Sequence, residues 1–408
     1  MSHYQAVCAL CARVQDDLAA SSCSSCAGPL SFRYDYGDVG RDDRFSGNMW
    51  RYWRLLPLAD PERITTLGEG GTPLLRSRAH AGRPVYLKDE TRNPTGSHKD
   101  RSLAVAINHG RAIGAGVSVV VSTGSAGISN AALAARAGMR SIVVMTEGTP
   151  LPRLYPMYAL GAQLVEVRGE IDPVVEQVMS ACREQGLYLS TTARRSNPYQ
   201  SEGNKTIAYE MVEDLGRAPE WVVVPVGGGG TIAGIWRGFC DLKELGEISS
   251  VPRMIGVVPH THNALEVAFE RDLRDWEEVL ALPFDELPPS ILVKLAHAYP
   301  PDGMDALEAV RASAGFFVSV TDGEALSAAR QAGHCEGVYA EPSAGACLAG
   351  LNKLLALEVV DPHAAVVALL SGSGFRETFL AMEHYPLQKK SIDPDELAAT
   401  LAALARGE

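Results

Sequence analysis

From residue 100 onward the chain alternates short apolar runs with longer segments of helical period. SVVVS (118–122), SIVVMTEG, QLVEVRG, WVVVPV, MIGVVP (254–259) and AAVVALL (364–370) are the apolar runs. Between them lie DRSLAVAINHGRAIGAG, ISNAALAARAG, PRLYPMYALGA, DPVVEQVMSACREQG, EGNKTIAYEMVEDLG, DGEALSAARQAG and SAGACLAGLNKLLAL. Strands buried on both faces read as continuous apolar runs, so this alternation predicts an α/β fold with a mostly parallel sheet covered by helices on both sides. Upstream, LSFRYDY and PVYLKDE (84–90) read as strands, GEGGTPLL as a turn, and SGNMWRYWRLLPL (46–58) as a core helix. The Pro- and His-rich stretch 260–315 has no clear period and is compatible with a lid or an interface. The last residues, ELAATLAALARGE, read as an amphipathic or packed helix.

The 408 residues allow two or three domains or one two-lobed body, and 46 % hydrophobic content supports a substantial core. A formal net charge of -12 argues against nucleic acid as the main partner. No uncharged apolar run reaches the length of a membrane span, and MSHYQAVCAL lacks a secretion signal, so a cytoplasmic enzyme is expected.

The first thirty residues carry CALC, eleven intervening residues, then CSSC. Two such knuckles gather Cys8, Cys11, Cys23 and Cys26 around one tetrahedral structural Zn²⁺, with no position left for catalysis. Two disulfides or four unrelated thiols are the alternatives. Cys182, Cys240, Cys335 and Cys347 are scattered and read as packing residues.

Three Gly/Ser-rich features follow strands or turns: NPTGSHKD (93–100), GGGGT (227–231) and SGSG (371–374). Sites in open α/β sheets gather at the carboxyl ends of strands, so these distant segments are expected to meet. VVVPVGGGGTIAGIW is a strand, a glycine turn and a helix start, which directs backbone N–H groups at an anion. It lacks the Lys-Ser/Thr ending of a P-loop. With a lysine in a fixed turn, it favours an anionic cofactor held permanently.

LKDETRNPTGSHKDR resembles the cofactor-lysine segment of pyridoxal-phosphate enzymes of the tryptophan-synthase-β class (fold type II), and is most similar to threonine synthases with their NPTGS-x-KDR segment. The cysteine ribbon, WRYWRLLPL, GEGGTPLL, STG, EGNKT, EPS and SGSG follow that family's order over nearly the whole chain. The resemblance implies a two-lobed fold. Residues 1–35 form a zinc-ribbon-like segment, 36–104 and 201–390 a large cofactor-binding domain, 105–200 a smaller substrate-side domain, and 391–408 a C-terminal helix. It implies that Lys99 binds the cofactor covalently and moves protons at the substrate Cα. Gly227, Gly228, Gly229, Gly230 and Thr231 would hold the cofactor phosphate, and His98 approaches it, where threonine synthases carry Phe. Ser371 would face the pyridine nitrogen, with Ser373 as rival; a hydroxyl there does not enforce ring protonation. Ser122, Thr123 and Gly124 would receive the substrate carboxylate. Ser125 stands where the family has an Asn near the phenolic oxygen. Glu341 would orient a helix or relay a proton.

Two further departures bear on the reaction. The family's NPxRxEG segment is NPYQSEG here, which puts Gln200 at the position of a phosphate-holding Arg; Arg194 and Arg195 are candidates to compensate. GGGGT replaces the GNAGN of many threonine synthases. Two activities therefore stand: conversion of O-phospho-L-homoserine to threonine, or β-elimination or β-replacement on serine, threonine, phosphoserine or another β-substituted amino acid. Both take a small amino-acid substrate, and the family expectation is a homodimer.

Overall fold

The computed structural model describes residues 3–406 apart from 18, 59, 170, 285, 286 and 388. Three sheets organise it. The strands in chain order are β1 (Tyr4–Cys8), β2 (Val14–Gln15), β3 (Leu30–Tyr34), β4 (Leu74–Arg76), β5 (Val85–Asp89), β6 (Val117–Val121), β7 (Arg140–Thr146), β8 (Gln163–Val167), β9 (Tyr188–Leu189), β10 (Trp221–Pro225), β11 (Arg253–Pro259), β12 (Phe316–Val320) and β13 (Val366–Leu370).

The large sheet runs β12-β11-β10-β13-β5-β4, parallel except for the edge strand β4. The small one runs β8-β7-β6-β9 and is wholly parallel. β10 and β13 are buried at every residue. Their alternate side chains enter two separate cores: Val222, Val224, Val367 and Leu369 on one face, Val223, Val366, Ala368 and Leu370 on the other. Helices cover both faces, so the apolar runs are explained by burial on two sides. In the small sheet, Val120 and Val143 enter one core while Val119, Val121 and Val144 enter the other.

The chain passes from β5 of the large sheet into the helix Lys99–Ala112, whose Leu103 and Val105 join the small-sheet core with Val120. That crossing places the first residue of the helix between the lobes. A buried ion cluster fixes it. Arg101, fully buried, donates from Nε to Glu90 at 2.7 Å and from Nη2 to Glu210 at 2.7 Å. Lys88 Nζ reaches Glu210 at 2.9 Å, and Glu210 accepts from the Gly71 N–H at 2.8 Å.

Two sequence expectations are corrected. Residues 46–58 do not form an α-helix: Met49–Leu55 is a 3-10 helix kinked at Tyr52, capped by the Asn48 side chain, with Trp50 fully buried and donating to Glu69. The helix Leu397–Ala405 forms but buries none of its residues, and Leu397, Leu401 and Leu404 are about half exposed, so it is not packed on this chain. FFVSV is the edge strand β12. Among the described residues the stretch 260–315 holds three helices and an irregular segment, with a turn at 293–295, that enters the interlobe cavity. Among the described residues, no helix is long and apolar enough to cross a membrane.

The N-terminal sheet β2-β1-β3 is antiparallel. It is attached to the body by the Tyr34 hydroxyl, which donates to Glu202 at 2.8 Å, and by His3 Nε2 on the Leu56 carbonyl at 3.0 Å.

Candidate active site

Between the lobes lies a cavity of about 380 Å³, a size suited to a small cofactor and substrate. Its wall brings together His98, Lys99, the loop Ser122–Ser125, the loop Gly227–Thr231, Arg195 and Ser371.

Lys99 opens its helix at the end of a turn stitched to the 371–373 segment. The His98 N–H donates to the Ser371 carbonyl at 3.0 Å, and the Ser373 N–H to the Gly96 carbonyl at 2.8 Å. Asp100 accepts from the Thr95 N–H at 2.7 Å and from the Thr95 and Ser129 hydroxyls at 2.6 Å each. The Lys99 backbone therefore has little freedom. Burial pulls its ammonium below the ordinary lysine range, while Asp302 and Glu341 oppose that shift. An amine that deprotonates more readily suits covalent attachment and proton abstraction.

His98 is buried, and burial beside Lys99 lowers its pKa to about 3, so it is neutral. Nδ1 lies 3.0 Å from the Ser371 carbonyl and must donate there. Nε2 is then the acceptor, and takes the Thr231 hydroxyl proton at 3.1 Å. The imidazole thus ties the lysine turn to the glycine loop.

The glycine loop leads from β10 into the helix Gly230–Glu244. Gly229 has φ +94, and a Cβ there would lie 2.5 Å from the Asp302 carbonyl oxygen. Only glycine fits this turn without displacing neighbouring backbone. Gly229→Ala is expected to weaken cofactor retention at least about fivefold, because strain of this kind costs on the order of 1–3 kcal/mol. Absorbance titration of the apoenzyme with pyridoxal phosphate measures it; unchanged affinity would contradict the role of the loop.

Across the cavity, β6 is followed by Ser122, whose hydroxyl accepts the Gly124 N–H at 3.1 Å, and Ser125 begins the helix Ser125–Ala137. Helix N-termini direct N–H groups at carboxylates. Ser371 donates its hydroxyl to Glu341 at 3.1 Å. Ser373 does not line the cavity; its side chain caps the next turn by accepting the Phe375 N–H at 3.2 Å.

Arg194 and Gln200 are not brought to the cavity wall. Arg194 points the other way, pairing with Asp305 at 2.9 Å and donating to the Ser31 hydroxyl at 3.2 Å, while its N–H donates to Asp302 at 2.8 Å. Gln200 is buried in the short helix Pro198–Ser201. Arg195 does line the cavity, about half exposed and paired with Glu176 at 2.6 Å.

Lys294, in a turn of the irregular segment 287–301, carries no motif read from the sequence. Its Nζ lies 2.6 Å from Glu341 and 3.1 Å from Glu377, and Glu377 accepts from Arg153 at 2.6 Å. The segment is pinned by the Ser290 hydroxyl and Ile291 N–H, which donate to Asp322 at 2.6 and 3.0 Å. Its only sequence signal is a lysine in an otherwise apolar ILVKLA run.

A buried amine, a glycine-lined helix N-terminus and a hydroxyl on the cavity wall suit the carbonyl, phosphate and ring nitrogen of pyridoxal phosphate. Residues 65–372 match the family of pyridoxal-phosphate dependent enzymes. The chain belongs to that family. It is related within it to the threonine synthases. It is 32 % identical over 414 residues to threonine synthase of Methanocaldococcus jannaschii, covering 98 % of both chains. It is 34 % identical to that of Synechocystis sp., covering 86 % of this chain and 89 % of the relative. The fold is similar to O-ureido-L-serine synthase (TM-score 0.62, 24 % identity, 80 % and 96 % of the two chains). It is equally similar to a threonine deaminase of Solanum lycopersicum (TM-score 0.62, 20 % identity, 78 % and 88 %). This is a pyridoxal-phosphate-dependent lyase or replacement enzyme of the two-lobed fold type II.

Outside the cavity, the four sulfurs of Cys8, Cys11, Cys23 and Cys26 lie within 4.8 Å of one another. The separations 3.5 Å (Cys8–Cys26), 3.7 Å (Cys11–Cys23) and 3.6 Å (Cys11–Cys26) exceed a disulfide bond. They approach the edge of about 3.8 Å that Zn–S bonds of about 2.3 Å give a tetrahedron. The Leu10 and Cys11 N–H groups donate to Cys8 Sγ and the Ser25 N–H to Cys23 Sγ, each at 3.4 Å.

Proposed function

We propose that this enzyme catalyses β-elimination or β-replacement on a small β-hydroxy or β-O-substituted amino acid. The observation that carries the reading is the charge of the cavity wall. Lys294 and Arg195 are already paired with carboxylates, and Gln200 lies outside. A distal phosphate dianion would have to compete with Glu341, Glu377 or Glu176 for a cation. A neutral β-leaving group, such as the hydroxyl of serine, needs no such partner.

In this reading Lys99 removes the Cα proton, the loop Ser122–Ser125 orients the substrate carboxylate, and the N–H groups of the Gly227–Thr231 loop hold the cofactor phosphate, with His98 fixing that loop through the Thr231 hydroxyl. Ser371 stands opposite the ring nitrogen. Pyridoxal phosphate, when bound, supplies the electron sink for the Cα carbanion. Closure of the lobes excludes water from the reacting carbon.

Conversion of O-phospho-L-homoserine to threonine is the second reading. It is favoured by Arg195 on the cavity wall and by the full-length similarity to threonine synthases. Phosphate and threonine, measured together after incubating the holoenzyme with O-phospho-L-homoserine, separate the two. Neither product is expected, whereas serine should give pyruvate. Prompt, matched phosphate and threonine would overturn the β-elimination reading and give Arg195 the role of holding the phosphate.

The cysteine cluster is read as a site for one structural Zn²⁺, closed by four thiolates. The holoenzyme should contain one zinc per chain by mass spectrometry. Cys11→Ser should lose it and raise the proteolysis rate of residues 3–35 at least about tenfold, since small metal segments fold on their ion. Retained metal or unchanged cleavage would contradict this. A cytoplasmic homodimer remains the expected setting.

A further inference from the structure

We propose that Arg194 is a positioning residue through which the cysteine-bearing sheet holds the glycine loop, so that zinc on Cys8, Cys11, Cys23 and Cys26 tightens the binding of pyridoxal phosphate. The inference rests on the readings of the cysteine cluster as a zinc site and of Gly227–Thr231 as the phosphate loop, and goes beyond both by coupling them.

Ser31 lies in β3 next to Leu30, which pairs with Cys8 of β1. Ala6, Cys8, Cys23 and Leu30 make up the small core of this sheet. With so little buried, an ion bound by the sulfurs would fix the place of β3. The Ser31 hydroxyl accepts from Arg194 Nη1 at 3.2 Å, and Arg194 Nε pairs with Asp305 at 2.9 Å. The Arg194 N–H donates to Asp302 Oδ1 at 2.8 Å. Asp302 in turn holds the loop by its backbone. Its N–H donates to the Gly228 carbonyl at 2.8 Å, and its carbonyl lies against Gly229 too closely for a Cβ there. Arg194 thus joins a metal-dependent strand to the turn whose N–H groups face the cofactor phosphate.

Ser31, Arg194, Asp302 and Asp305 all lie outside the cavity wall, so a bound cofactor does not compete for their contacts. Asp302 also leans on Arg194. Burial and the neighbouring Asp305 raise its carboxyl to about 6, and the N–H and charge of Arg194 oppose that rise. Its Oδ2 is buried, accepts no hydrogen bond, and would lie 2.6 Å from a Cβ on Gly230, the first residue of the helix behind the loop. A displaced Asp302 is therefore felt directly in the loop. The other polar ties of this segment run elsewhere. Tyr34 donates to Glu202, and Tyr36 to Asp241 at 2.8 Å, toward the far end of the helix Gly230–Glu244. Those ties attach the sheet to the body, whereas the Arg194 path ends on the loop.

The test is a linkage measurement on the full chain. Pyridoxal phosphate is titrated into the apoenzyme and followed by absorbance, with zinc in place and after its removal by a chelator, in the wild type, Arg194→Met and Ser31→Ala. In the wild type, removing zinc should weaken binding at least about fivefold, the lower end of couplings between distinct sites. Arg194→Met should weaken binding to the zinc-loaded protein, and zinc removal should then change it by less than about twofold, the scatter expected of independent sites. Ser31→Ala, which leaves the pair with Asp305 intact, should blunt the zinc effect in the same way and serves if Arg194→Met does not fold. A merely structural loss would lower affinity by one factor with and without zinc, leaving the zinc effect at full size. A protein that binds no zinc, or no pyridoxal phosphate, would overturn the corresponding reading and the inference with it. Zinc and cofactor both bound, with wild-type affinity unmoved by zinc removal or the zinc effect undiminished in the variants, would overturn the inference alone.

Discussion

Lys99→Ala should abolish turnover, with a loss of at least about 10³-fold, while the protein still folds. Proton transfer by a positioned group alone contributes about 10²–10⁴-fold, and this amine has the further task of attaching the cofactor. The geometry supports replacement without collapse. Lys99 is anchored through its backbone and its neighbours: Asp100 by Thr95 and Ser129, Arg101 by Glu90 and Glu210. None of these bonds uses the Lys99 side chain. Borohydride reduction of the wild-type holoenzyme followed by peptide mass spectrometry should find the pyridoxyl group on Lys99. Attachment at Lys294, the other lysine of the cavity wall, would contradict the assignment.

Arg101→Ala should carry the largest stability cost, about 3–5 kcal/mol, because removing one partner of a buried ion pair strands the other. Here it strands two carboxylates, Glu90 and Glu210, both fully buried. Each carboxyl is held below its usual range because Arg101, with Lys88, outweighs the cost of burial. A depressed folded-state pKa stabilises the fold above the unfolded value of about 4.3 and loses that contribution as pH falls toward the folded value. In the variant the same carboxyls are buried with less compensation, and protonation relieves them. The gap between wild type and variant should therefore be widest near neutral pH and narrow on acidification. Urea unfolding at pH 7 and pH 4.5 measures it; a gap that widens at low pH would contradict the account. The loss should extend to the site, since Arg101 sits two residues from Lys99 and Glu210 holds the Gly71 turn.

The fold was legible where burial on two faces forces continuous apolar sequence, as in WVVVPV and AAVVALL. It was less legible at the margins. β12 is an edge strand only partly buried, so its apolar signal is diluted. MWRYWRL has the composition of a core helix, yet the Asn48 cap and the Trp50 contact with Glu69 settle it into a tighter turn. The terminal helix shows that apolar content alone does not tell a packed helix from an uncovered one. At the site, fixed-spacing motifs marked the residues now seen on the cavity wall. Adjacent arginines could not be told apart: Arg195 faces the cavity and Arg194 turns to Asp305 because the 191–196 loop has no period to assign their directions. Lys294 was hidden for the same reason, on a segment whose conformation depends on Asp322 rather than on local sequence.

The central claim is that Lys99 takes the Cα proton of a β-substituted amino acid and that the β-group then leaves. Proton NMR in D₂O, with the holoenzyme and L-serine, follows both events at once. The account predicts loss of the Cα proton signal together with the appearance of pyruvate, and neither change with Lys99→Ala. An intact Cα proton in serine, with O-phospho-L-homoserine converted to threonine under the same conditions, would contradict it.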